Sequence, residues 1–165
     1  MSLRQNPAAC AILVGGSIAA ALDITYAISF AAYGGMSPVR LLQVVASGWL
    51  GKDAFAGGVP VAMLGLLSHF LICYAMAAVY YFTAQRFAFL TKRPIVSGVV
   101  FGICVFLVMN FVVLPLSAFP YPFRLRPLAN ATDLLSHMFF VGVPIALATR
   151  AALRSRAASG VHAHA

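Results

Sequence analysis

Residues 94–119 read PIVSGVVFGICVFLVMNFVVLPLSAF, a run without a single acidic or basic side chain. A helix needs about 20 mainly apolar residues to cross the roughly 30 Å hydrocarbon core of a bilayer, so this run predicts a membrane span over 94–118. Three further apolar runs flank it, predicting spans over 8–33, 59–84 and 131–153. The first is interrupted only by Asp23. The last has an apolar core of only 134–149, and reaches spanning length if its helix begins near Ala131 and continues to Leu153. Asp133 then falls in the first turn, where the helix dipole favours an anion. The expected fold is all-α, a polytopic membrane protein built as a four-transmembrane-helix bundle.

Composition supports the same class. Of 165 residues, 62% are hydrophobic and 8% charged, and the mean hydropathy is +0.96. A soluble domain carries about 25% charged residues and could not cover its surface with so few. The formal charge of +8 does not point to nucleic acid. The basic residues stand singly or in pairs between apolar runs, where they set topology and meet anionic lipid headgroups. Cys10, Cys73 and Cys104 fall within apolar runs at no metal-ligand spacing and read as small buried hydrophobes. Arg4 followed by an apolar stretch resembles a signal peptide, but apolar character continues to Tyr33, which predicts a retained helix.

Orientation follows from the loops. Arg4, Arg86, Lys92, Arg93, Arg150, Arg154 and Arg156 fall on one side of the expected topology, and Arg40, Lys52, Arg124 and Arg126 on the other. Seven against four places the first set, with both termini, in the cytoplasm of a bacterial inner (plasma) membrane. Arg40, Arg124 and Arg126 then form a basic outer face. Within the long outer connection, Ser37-Pro38 is a helix-start signal, and Leu41, Leu42, Val45 and Trp49 recur at helical spacing. This predicts an interfacial or partly re-entrant helix over 38–50, with Gly51, Gly57 and Gly58 turning the chain back. Residues 155–165 read as a disordered, solvated tail.

Leu66-Leu67-Ser68-His69 recurs as Leu134-Leu135-Ser136-His137, and Pro38-Val39-Arg40-Leu41 is echoed by Pro122-Phe123-Arg124-Leu125. The chain thus reads as two helix-pair units in a parallel repeat, because an even number of spans per unit preserves orientation.

One strongly polar group stands out in each span: Asp23, His69, Asn110 and His137. At 1.5 Å per residue, all four lie roughly 20–25 Å from the cytoplasmic ends of their helices, forming one polar layer. Such groups in a membrane must be paired or hydrated, so they face the bundle interior or a cavity. Gly16, Ala20, Asp23 and Ala27 share a narrow face, and Gly98-x-x-x-Gly102 offers a close helix contact. Pro144 is expected to kink the fourth span and free the carbonyl of Phe140. Three roles stay open for the layer: a structural hydrogen-bond cluster, a proton or ion path, or a b-type haem site with His69 and His137 as ligands. No nucleophile–base arrangement, phosphate loop or zinc motif occurs, so neither enzymatic activity nor a resident metal or cofactor is expected.

Several segments from His69 onward are similar to the YagU-like family of bacterial inner-membrane proteins. They are YAMAAVYY (74–81), GVVFG (98–102), the proline-rich exit 115–122, NATDLLSH (130–137) and the basic end 150–156. The match is one of order and spacing over more than half of the chain. The first outer connection is shorter here than in the family. The resemblance implies a multi-pass inner-membrane protein with a tie to acid or envelope stress, and it supplies no catalytic residue. Expected partners are the bilayer, its anionic headgroups, and a second copy or another membrane protein.

Overall fold

A computed structural model describes residues 6–162, with side chains through Ser155. The first span, α1 (Pro7–Tyr33), starts where the Asn6 side chain accepts from the amides of Ala8 and Ala9. It ends at Gly34 and Gly35, the latter in the left-handed region at φ +82°. Next comes α2 (Pro38–Leu50), capped by Ser37, whose hydroxyl accepts from Arg40 N at 3.2 Å. A 3-10 turn (Gly51–Ala56) leads to the second span, α3 (Gly58–Arg86), with Gly51 and Gly58 both at positive φ. A short α4 (Phe89–Lys92) precedes the third span, α5 (Pro94–Leu116). The fourth, α6 (Pro127–Ser155), continues as helical backbone to His162. Residues 163–165 of the expected tail lie outside the described residues.

All four spans are long and apolar enough to cross a membrane, and the chain is a multi-pass membrane protein. The fourth gains its length mainly at its start: Pro127, not Ala131, opens it. Proline suits a first helical position because its missing N–H would have no partner there anyway. Asn130 then reaches back to accept from Arg126 N at 2.7 Å, which secures this extra turn.

Two spans widen into π-helix, at Met109–Val113 in α5 and His137–Gly142 in α6. Each lies just before a proline, Pro115 and Pro144. A proline offers no N–H to the carbonyl four residues back and its ring crowds that turn. The wider turn accommodates this, with Leu114 N–H bonded to Met109 O and Val143 N–H to Met138 O. Where a kink is expected at Pro144, the helix carries a π turn, a feature common at functional sites.

Helix α1 packs between α3 and α6, and α5 packs on the far side of α6. Close approach depends on small residues. A Cβ on Gly142 would strike Gly98 O and Gly102 N, and one on Gly102 would strike the His137 carbonyl. The Gly98-x-x-x-Gly102 face therefore docks backbone to backbone against the π turn of α6. Near the termini, α3 and α5 meet through Tyr80, whose hydroxyl lies 2.8 Å from Ser97 Oγ and donates to Leu90 O at 3.2 Å. At the opposite end α3 and α5 stand apart, and α2 enters beside α3. The amide of Gln43 donates to Gly58 O at 3.1 Å, and Trp49 Nε1 donates to Ser68 Oγ at 3.0 Å. Ser68 lies ten residues into α3, about 15 Å along its axis, so α2 lies alongside the first turns of that helix. Gly65 lets the α2 backbone at Leu42 touch α3.

Candidate functional site

The four polar residues expected to form one layer divide among three settings. The first is a junction of α1, α3 and α6 around Asp23. Ser136 Oγ donates to Asp23 Oδ1 at 2.5 Å, in the range of a charge-assisted bond to a carboxylate. His69 Nε2 lies 4.0 Å from Asp23 Oδ2 and 3.1 Å from the carbonyl of Ala20. Asp23 and His69 are each only 13% exposed. Cys73 Sγ lies 3.9 Å from the same Nε2. About one and a half turns nearer the termini, Ser17 Oγ and Tyr74 OH share a hydrogen bond of 2.9 Å, again joining α1 to α3. Asp23 reaches two neighbouring helices because Gly15, Gly16, Ala19 and Ala20 on the preceding turns are buried and bring them close.

The second setting is local to α6. His137 Nδ1 lies 2.9 Å from the carbonyl of Asp133 and 3.4 Å from its carboxylate, and its ring packs edge-on against Phe106. The two histidines therefore serve different helix pairs. Their arrangement does not fit a haem iron held between them: His69 Nε2, the atom a ligand histidine would offer, is engaged by Ala20 O and flanked by Asp23. Among the described residues no cluster of three or more His, Cys, Asp or Glu could hold a metal ion.

The third setting is a cavity. Asn110 donates to Phe106 O at 3.0 Å and lines a space of about 910 Å³ at the α2 end. Asn110 sits in the π turn, six residues or about 9 Å below the end of α5. Arg40 from α2 and Arg124 and Arg126 from the α5–α6 connection line the same space. Arg40 is held with its guanidinium 3.8 Å above the ring of Phe55, a cation–π contact. Phe55 in turn meets Tyr121, with ring centroids 6.1 Å apart. The connection is held to α2 by Ala118 N donating to Gly48 O at 2.9 Å.

Reasoning from the sequence missed Ser136 as the partner of Asp23. The one signal was its place beside His137 in the repeated Leu-Leu-Ser-His. It also did not bring Asn110 together with the three arginines. No family model, curated protein or solved structure matches the chain.

Proposed function

We propose that this chain is a non-enzymatic multi-pass protein of the bacterial inner membrane, both termini cytoplasmic, in which a buried carboxylate junction locks the helices into a rigid frame. The observation that carries the reading is Asp23, bonded at 2.5 Å to Ser136 of α6 and adjacent to His69 of α3. A carboxylate inside a membrane is costly unless paired, and here its partners come from the two helices that α1 must hold. The loop charge bias supports the orientation, and the similarity to YagU-like proteins supports the inner membrane.

A second reading is a proton relay, favoured by the Asp23 carboxylate and the His69 imidazole, 4.0 Å apart inside the bundle. Liposomes loaded with a pH-sensitive dye separate the two. The frame reading expects background proton flux in wild type and in Asp23→Asn alike, with Asp23→Ala unfolding more readily in detergent. Flux above background in wild type that disappears in Asp23→Asn would overturn it in favour of the relay.

A further inference from the structure

The cavity at the α2 end combines features that the helix junction does not explain. Arg40, Arg124 and Arg126 line it, no carboxylate does, and none of the three has an acidic partner within ion-pair distance among the described residues. Three cations converging without a counter-charge repel one another and attract an anion. The remaining lining is largely aromatic, proline and aliphatic, including Phe119, Phe123 and Leu114. Leu116, Leu125 and Leu128, which flank the lining segments along the chain, are 83%, 79% and 71% exposed. Its volume of about 910 Å³ far exceeds what a free inorganic anion fills and falls in the range of sites for larger ligands.

We infer that this cavity binds the phosphate headgroup of one anionic membrane lipid, with Arg124, Arg126 and Arg40 contacting the phosphate and the apolar walls taking the first part of the acyl chains. The geometry favours a membrane lipid over a soluble phosphate compound. The cavity lies beside α2 at one end of the spans, where headgroups sit. Its floor descends about 9 Å along α5 to Asn110, past apolar walls that a soluble phosphate would leave unfilled. Arginine suits the contact because its planar fork donates to two phosphate oxygens at once. This site is independent of the Asp23 junction and would stand if the frame reading failed.

Native mass spectrometry of the full chain in a neutral detergent tests it, with phosphatidylglycerol and phosphatidylcholine of matched chains as probes and inorganic phosphate as competitor. The expected result is retention of one phosphatidylglycerol over phosphatidylcholine, undiminished by millimolar phosphate. Arg124→Gln/Arg126→Gln should weaken it about tenfold or more, since each basic contact to an anionic surface contributes measurably. Lys52→Gln and Arg93→Gln, which alter basic residues that do not line the cavity, should leave it unchanged. Both arginines of the double variant are exposed, so its unfolding midpoint should match wild type. Leu114→Phe, which fills the cavity without altering charge, should also reduce retention. Equal retention of the two lipids, equal loss in the Lys52 or Arg93 variants, or displacement by phosphate would each overturn the assignment.

Discussion

Ser68 and Ser136 occupy the same place in a repeated Leu-Leu-Ser-His, yet their hydroxyls do different things. Ser68 Oγ donates back to Leu64 O at 2.7 Å and accepts from Trp49, whereas Ser136 donates across the bundle to Asp23. Interhelical hydrogen bonds in membranes average only about 0.6 kcal/mol, with an upper end near 1.7, and a charged acceptor moves a bond towards that upper end. Ser136→Ala is therefore expected to cost about 1–2 kcal/mol in reversible unfolding from mixed micelles. Ser17→Ala, which loses a neutral bond to Tyr74, should cost about 0.5 kcal/mol. Equal costs would count against an ionised Asp23 acceptor. The presence of one strongly polar group in each span, Asp23, His69, Asn110 and His137, was legible because it is read along the chain. Their grouping was not, because it depends on how each helix is rotated about its axis, and packing decides that.

At the scale of helices, the informative residues are prolines and glycines. Pro144 was legible as a disturbance and Pro115 was not, and the π turns they accompany rotate the rest of each helix by about 100° relative to an unbroken α-helix. A reading with constant period could find the Gly98-x-x-x-Gly102 spacing and could not place Gly142 opposite it. The consequence can be measured. Gly142→Ala would press a methyl onto the Gly98 and Gly102 backbone, which cannot swing aside as a side chain can, and should destabilise by about 1–3 kcal/mol or more. Gly48→Ala in α2 meets nothing nearer than Ser117 Oγ at 3.8 Å. It should be neutral or gain about 0.5–1 kcal/mol from the better helix former. A loss at Gly48 as large as that at Gly142 would mean that the α5–α6 contact is not the tighter of the two.

Among the described residues, many buried positions are small and many large apolar side chains face outward, although Tyr80, Tyr81, Phe106 and Ile145 are buried. Ala11, Ala19, Ala20, Ala46, Ala62 and Ala77 are buried, while Leu13, Leu67, Leu71 and Phe82 are exposed. Lipid chains are as apolar as leucine, so hiding large side chains gains little, and close backbone approach favours small ones. The four spans were legible for this reason: hydropathy along the chain reports contact with lipid without knowledge of neighbours. The unequal pairing of α3 with α5 was not. Those helices meet at Tyr80 and Ser97 near the termini and are separated by α2 and the cavity at the other end.

The seating of α2 also has a spectroscopic consequence. Trp49 is the sole tryptophan in the sequence, and the residue is 68% exposed while its indole N–H is bonded to Ser68. Intrinsic fluorescence excited at the tryptophan band therefore watches this one helix, whereas far-ultraviolet circular dichroism watches the long spans. Because Gln43, Gly65 and Trp49 all hold α2 against α3, the two signals are expected to change together in a denaturant titration, as in a single cooperative unit. An emission shift that runs ahead of the loss of ellipticity would mean that α2 lifts off while the four spans remain folded. The chain thus carries a built-in optical gauge of how α2 is seated.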